Sequence, residues 1–335
     1  MRILFVCNFK PGVGGISGQV EMLQAKLREE GHIAEIFSTK ASVWRRLWMR
    51  LKLKRTAVGY DVLHVHCCSG WGFLPAVLGV TVGKALGKRV VITYHGGGAE
   101  RFFDRHSRLV HRYLTQTDAN IVLSGFLANV FDKHHLQYSI IPNIIEIDNA
   151  HYRQREVLKP CYICTRAHEL LYNIPCILRA FKKVLTDLPE ASLTLVGGGS
   201  QHEALKAMVD KMKLTHVIFT GKVDNKEICR YLDRADIFLS APTVDNMPVS
   251  VIEAMSAGLL VISSRVGGVP FMVDEGKNGL LFTSDHDEEL AERMLWAVQH
   301  QVEAKTMIET ARQSVKQYQW DHIKEKLYSV YGFSS

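Results

Sequence analysis

LSAPTVDNMPVSVIEAMSAGLLVISSRVGGVP, residues 239–270, contains a strand, a loop, a helix and a second strand in that order. ADIFLSA (235–241) is an apolar run and TVDN (243–246) a polar loop. PVSVIEAMSAG (248–258) reads as a helix with Pro248 in its first turn, where a missing N–H leaves nothing unpaired. LLVISS (259–264) is apolar again. Two strands without polar alternation, joined by a helix, make a βαβ unit whose sheet is parallel and covered on both faces. The same rhythm extends in both directions. CYICT (161–165), ASLTLVGG (191–198), HVIFTG (216–221) and NGLLFT (278–283) are further strands. So are ILFVC (3–7), HIAEIF (32–37), DVLHVH (61–66), RVVITYH (89–95), ANIVLS (119–124) and the start of SIIPN (139–143). Helices are expected over about 17–31, 42–55, 74–86, 101–115 and 320–331. The fold class is α/β, with two Rossmann-like doubly wound domains.

The chain has 335 residues, 47% hydrophobic and 22% charged, which excludes disorder and suits two domains of roughly 100–200 residues each. The net charge of +7 is unevenly spread. Residues 1–143 carry 19 Lys+Arg against 9 Asp+Glu, and the remainder 22 against 25. A basic half joined to a mildly acidic one places a boundary after the IPN turn. The expected domains are 1–147, 148–318 and a terminal helical segment, 319–335. The basic half should meet something anionic. No run reaches the roughly 18 apolar residues of a spanning helix. MRILFVCNF enters a strand directly, so no leader is expected and the chain is placed in the cytoplasm. Seven cysteines scattered through apolar segments do not suggest disulfides. Cys161 and Cys164 face opposite sides of a strand, which favours core positions over a metal site.

Four groups of residues carry chemistry. Asp245 lies in the loop above a strand, and Glu253 stands eight residues on, inside the following helix. The helix N-terminus between them is a seat for a diphosphate, and a carboxylate further along can accept both hydroxyls of a ribose. Against this stands the plainer reading of Asp245 as a cap and Glu253 as a surface acid. KPGVGGISG (10–18) is a glycine-rich turn after the first strand that lets backbone N–H groups approach a phosphate or sugar. Its spacing is not that of a dinucleotide fingerprint, and no acid ends the second strand, which disfavours a dehydrogenase. His64 and His66 alternate onto one face. His95 ends a strand beside Gly96, Gly97 and Gly98, where it can donate to a sugar hydroxyl or a phosphate. A metal site from His64, His66 and Cys68 is conceivable, but no carboxylate lies nearby in sequence. SVWRRLWMRLKLKR (42–55) puts Trp44, Leu47, Trp48 and Leu51 on one helical face. Arg45, Arg46, Arg50, Lys52 and Lys54 surround it with no acid, the composition of an interfacial membrane helix. The alternative is a surface helix docking its indoles on its own domain. Nucleic acid is not expected, since no binding module is recognisable.

Taken in order, these strings resemble family-4 (group 1) retaining glycosyltransferases. Residues 239–282 are similar to the family's E-x7-E donor region, with Asp245 where the first acid is normally Glu. Gly14-Gly15 resembles its P…GG loop, YHG (94–96) its acceptor-domain His-Gly, and IIPN (140–143) its interdomain turn. LVGGGS (195–200), FTGKV (219–223) and GKNGLLF (276–282) match further family turns. The resemblance implies the GT-B fold, with two Rossmann-like domains, an interdomain cleft and a last helix crossing back to the first domain. It implies that Glu253 binds the nucleotide ribose and Asp245 the transferred sugar. Asn246, Met247, Pro248 and Val249 line the donor, and Arg166 in CTRAHE grips the leaving diphosphate. His95, Asp245 and Arg166 are the expected catalytic residues. Two positions depart from the family. Leu171 or Tyr172 stands where a clamp lysine is usual, with Lys222 and Lys226 as substitute cations, and Phe271 replaces a glutamate.

The expectation is a hexosyltransferase that retains configuration and needs neither metal nor cofactor, using a UDP- or GDP-linked sugar as co-substrate. Its acceptor would be a glycan or lipid-linked molecule, of the lipopolysaccharide type in a bacterial envelope pathway, at the inner membrane face. Closure of the cleft would bring His95 and the Gly14-Gly15 loop onto the donor. A nucleotide-sugar epimerase of the same fold and a catalytically weak, membrane-docked partner protein are the alternatives.

Overall fold

The computed structural model describes residues 1–11, 15–40, 43–146 and 152–333. The chain divides into two compact units, Met1–Ile145 with Tyr318–Ser335, and Glu146–Gln317. In the first, strands β1 (Arg2–Cys7), β2 (Ile33–Ser38), β3 (Val62–Cys67), β4 (Arg89–Tyr94), β5 (Ala119–Val122) and β6 (Ser139–Ile140) form a parallel sheet of order β2-β1-β3-β4-β5-β6. Between them run α1 (Ile16–Glu29), α2 (Val43–Ala57), α3 (Leu74–Ala85), α4 (Ala99–Arg105), α5 (Ser107–Leu114) and α6 (Gly125–Lys133). In the second, β7 (Cys161–Cys164), β8 (Ser192–Val196), β9 (Val217–Gly221), β10 (Ile237–Ser240), β11 (Leu260–Ser264) and β12 (Leu280–Phe282) are also parallel, ordered β12-β11-β10-β7-β8-β9. Their helices are α7 (Ile174–Asp187), α8 (His202–Met212), α9 (Ile228–Asp233), α10 (Val249–Ser256), α11 (Asp287–Gln299) and α12 (Gln301–Ser314). The last helix, α13 (Trp320–Tyr331), returns to the first unit.

Each sheet reverses its strand order once, between β1 and β3 and between β7 and β10. Helices leave such a reversal to opposite faces, so the carboxyl ends of the two strands open a crevice between diverging loops. Alternation along β1 feeds both layers. Leu4 and Val6 join a core with α2, α3, α5 and α6, while Ile3, Phe5 and Cys7 face α1 and α13. Helix α13 buries Ile323, Leu327, Val330 and Tyr331, the i, i+4, i+7, i+8 stripe of an amphipathic helix. At about 1.5–3 kcal/mol per fully buried large apolar side chain, this stripe is what holds the chain end on the sheet. Arg89 Nε donates to the Val330 carbonyl at 2.8 Å, and Trp320 Nε1 to Glu30 Oε1 at 3.0 Å, fixing its two ends.

Two local expectations are corrected. The single helix anticipated over 101–115 is split into α4 and α5 by His106, whose φ of −126° and ψ of 33° interrupt the helical backbone. Pro248 is the residue before α10 and not within it. Its ψ of 110° is extended, so the first free helical N–H groups belong to Val249 and Ser250.

Candidate functional site

In the second unit the loops after β7 and β10 meet at the strand-order reversal. Arg166 follows β7 and is 8% exposed. Its Nη1 donates to Ser250 Oγ at 2.8 Å, and its Nη2 to Asp245 Oδ2. The guanidinium lies 4.1 Å from the centre of the Tyr172 ring, so a cation–π contact holds its flat face while its edge engages the loop. Asp245 Oδ1 accepts the Asn246 N–H at 2.8 Å, which turns the chain into the entry of α10. Arg166, Asp245 and the first turn of α10 are thus one hydrogen-bonded cluster. Asn246, Met247 and Pro248 are buried beneath it, and Val249 is partly exposed. Glu253 lies one turn further along α10, half-buried, and its carboxylate accepts no hydrogen bond from a described residue. Burial pushes its carboxyl above the ordinary glutamate range, and the Arg166 charge opposes that rise.

Glycines let the surrounding loops close on this cluster. Gly267, with φ of +48°, follows β11, and a Cβ there would sit 1.9 Å from the Asp245 carbonyl. Gly268 N donates to that same carbonyl at 3.2 Å. A Cβ on Gly197 would meet the Arg166 carbonyl at 2.5 Å, and one on Gly199 the His168 carbonyl at 2.4 Å. The Gly197–Gly199 turn therefore backs the arginine loop, and the exposed Lys222 packs along Gly198 on its other side. Lys226 is exposed in a short turn beyond it. Where the sequence comparison anticipates a lysine, Leu171 is 43% exposed and its carbonyl accepts the Thr243 N–H at 2.8 Å. Phe271 is 54% exposed.

In the first unit, His95 follows β4 and its Nε2 lies 2.8 Å from His66 Nδ1. His64 is committed on both sides, Nδ1 to the Tyr331 hydroxyl and Nε2 to the Thr93 hydroxyl, each at 2.7 Å. Burial pushes His64 and His95 down to about 3 and His66 well below the usual histidine range, so all three rings are neutral at physiological pH. Among the described residues no group of three or more His, Cys, Asp or Glu is arranged to hold a metal. Gly15 enters α1 with φ of +70°, a conformation that favours glycine. Gly14 lies outside the described residues.

Helix α2 buries Met49, Leu53 and Ala57, at spacing i, i+4, i+8, in the core of this unit. At 100° per residue this seam is opposite Trp48 and Leu51. Trp48 is 70% exposed and Leu51 50%, so those two do not dock on their own domain. Arg50, Lys52 and Lys54 are exposed around them. The side chains of Trp44, Arg45, Arg46 and Leu47 lie outside the described ones.

Two family models together run through most of the chain. "Glycosyltransferase Family 4" matches residues 24–149 and "Glycosyl transferases group 1" residues 159–314. The chain belongs to the group 1, family-4 glycosyltransferases. Members of this family transfer a sugar from a nucleotide-sugar donor, and this family-4 glycosyltransferase has their GT-B fold. It is similar to the sulfoquinovosyl transferase SQD2 of Arabidopsis thaliana, 31% identical over 147 residues, which are 43% of this chain and 28% of that protein. It is 24% identical to an alpha-monoglucosyldiacylglycerol synthase of Streptococcus pneumoniae, over 86% of this chain and 76% of that one. The Anabaena Alr3699/HepE structure in complex with UDP superposes with a TM-score of 0.78 at 16% identity, covering 99% of this chain and all of that one. The likeness to that structure is one of fold.

The sequence of this glycosyltransferase shows Arg166 far from the motif that holds Asp245 and Glu253, and the fold brings Arg166 into contact with Asp245. Tyr172 under the guanidinium, Ser250 on its edge and Gly267 against Asp245 were not anticipated. The signal for Gly267 was the GG pair of VGGVP, a usual mark of close backbone approach. Among the described residues no helix is long and apolar enough to cross a membrane.

Proposed function

We propose that this chain transfers a sugar, with retention of configuration and without a metal ion, from a UDP- or GDP-linked donor to a glycan or lipid-linked acceptor at an anionic membrane face. The observation that carries this reading is the joining of Arg166, Asp245 and the first turn of α10 at a strand-order reversal. A diphosphate there would take the free N–H groups of Val249 and Ser250 and a charge-assisted contact from Arg166, exchanging the Ser250 contact for phosphate. Glu253, with no hydrogen bond to its carboxylate from a described residue, would accept the ribose hydroxyls. Asp245 would accept hydroxyls of the transferred sugar. In the first unit, His95 would serve as a substrate-facing hydrogen-bond donor. As the glycosidic bond breaks, Arg166 neutralises charge on the leaving phosphate, and Lys222 is the candidate for a second cation. Retention places acceptor and leaving phosphate on one face of the sugar. The acceptor proton then passes to the phosphate oxygen, which requires no protein nucleophile.

A lipid-linked acceptor is supported by the pneumococcal relative, named for a diacylglycerol product. A membrane face is supported by α2, whose outward indole and leucine are ringed by cations while a separate seam holds the helix to its domain. The exposed Leu171 in place of a clamp lysine favours one second reading, a partner protein with weakened catalysis.

Calorimetric titration with UDP, GDP and their sugar conjugates, on the intact chain and on Glu253→Ala, tests the donor reading. Binding of one nucleotide that weakens strongly in the variant is the expected result. Absence of binding to all of them overturns it in favour of the partner-protein reading. Replacement of Arg45, Arg46, Arg50, Lys52 and Lys54 by Gln tests the membrane face. Unchanged binding to anionic vesicles would sink it.

A further inference from the structure

His66 takes no part in the scheme above, yet its ring is in hydrogen-bond contact with His95. It is 2% exposed, on β3, and its Nδ1 faces His95 Nε2 at 2.8 Å with the two rings stacked at 5.1 Å and 27°. Its other nitrogen, Nε2, is fully buried and has no hydrogen-bond partner. His66 borders a cavity of about 20 Å³ walled largely by Leu23, Ile121, Ile141, Ile323 and Leu327.

Both rings are neutral, so one proton lies between them and its owner fixes both tautomers. If His95 donated, His66 would carry its hydrogen on Nε2 and bury an N–H against hydrocarbon. If His66 donates, only a lone pair is left there. Orphaned buried N–H groups are rarer and more costly than under-used acceptors. The cavity has the volume for about one water, but a buried water needs two to four polar partners. The polar side chains beside it are committed: His64 to Tyr331 and Thr93, and Gln19 through both amide atoms to the Ile144 backbone. Asn143 is likewise engaged. Hydrogen bonding therefore favours His66 as donor.

We propose that His66 is a positioning residue that donates from Nδ1 to His95 Nε2 and so locks His95 in its Nδ1–H tautomer. His95 then presents a hydrogen-bond donor, and not a base, to the substrate. The His95 main chain is held as well, since its N–H donates to the Cys67 carbonyl at 2.9 Å. This inference rests on the reading of His95 as a substrate-facing residue.

Long-range proton–nitrogen spectra of the intact chain, with His66 and His95 assigned by single substitution, read the tautomers directly. The wild type should show His95 protonated on Nδ1. His66→Asn keeps an amide N–H in the place of Nδ1 and should preserve that tautomer. His66→Leu should shift His95 toward Nε2–H. With UDP-glucose as the probe, His66→Leu should slow UDP release about tenfold at unchanged KM, the scale of one lost positioning hydrogen bond, and His66→Asn should not. Should His66→Leu fail to fold, the wild-type spectrum decides alone, and a proton on His95 Nε2 overturns the proposal. An unchanged His95 tautomer in a folded His66→Leu does the same. UDP release unaffected by His95→Ala instead removes the substrate-facing reading of His95 and leaves the tautomer result standing.

Discussion

Replacing Arg166 by Gln separates the structural work of this side chain from its proposed work on the donor. The Arg166 and Asp245 side chains are 9% and 16% exposed, so the pair is largely withdrawn from water. Removing one partner of a fully buried pair costs about 3–5 kcal/mol, mostly from the charge left behind. Asp245 keeps the Asn246 N–H and some solvent, which lowers the expected cost to about 2–3 kcal/mol. In a domain of this size, at about 2–4 °C per kcal/mol, the second unit should melt about 4–12 °C lower. The double variant Arg166→Gln/Asp245→Asn should regain most of that loss, because no uncompensated carboxylate remains. Nucleotide binding should not recover. A hydrogen bond from a charged group contributes about 1.5–3 kcal/mol, so losing the guanidinium should weaken UDP about 10–100-fold at about 1.4 kcal/mol per decade. The assay is calorimetric UDP titration beside thermal melting for the wild type, the single variant and the double variant. A folded Arg166→Gln chain that binds UDP as tightly as the wild type refutes the assignment of Arg166 to the diphosphate. A double variant that recovers binding along with stability would show that Arg166 acts only through the fold.

Glu253→Gln should bind UDP more weakly yet melt higher than the wild type at pH 7–8. Its carboxyl is raised by burial, so the folded state holds the proton more tightly, and the stability this brings is lost as pH rises. The stability difference should vanish below pH 4.5, and melting curves over that range would expose a constant offset if the reasoning is wrong. The histidines of the first unit work in the opposite direction. His64 titrates at about 3 in the fold against 6.5 unfolded, so the unfolded state binds more protons below pH 6.5 and stability falls as pH drops. His64 alone should remove about 3 kcal/mol by pH 4, and His64→Gln should flatten that part of a urea-denaturation profile. On α2, Trp48→Ala with Leu51→Ala should change stability by less than about 0.5 kcal/mol while weakening binding to anionic vesicles. Leu53→Ala on the seam should cost about 2–5 kcal/mol, and equal effects on melting from the two faces would contradict the two-sided reading of α2.

Much of the fold was legible because parallel sheets covered on both faces require unbroken apolar runs, and those runs stand plainly at 3–7, 235–241 and 259–264. The α13 stripe was legible for a similar reason, since four apolar residues at helical spacing must find a surface. The break at His106 was not, because no proline or glycine marks it and only packing of α4 and α5 sets that backbone angle. Asp245 in the loop before α10, Glu253 within that helix and the arginine after β7 are written in the sequence as residue types that diphosphates and ribose require. Their union is not written there. Arg166 and Asp245 are 79 residues apart, and they touch because strand order places β7 beside β10, which no local pattern encodes. The orientation of α2 divides in the same way. Its sequence shows an apolar stripe and a basic surround, but Met49, Leu53 and Ala57 offer a second stripe with an equal claim to the core. Only the tertiary structure chose between them, since burial follows from the shape of the neighbouring helix and sheet and not from the hydrophobicity of Trp48. The contact between His66 and His95 likewise exists only because β3 and β4 pair in register, bringing together two imidazoles 29 residues apart.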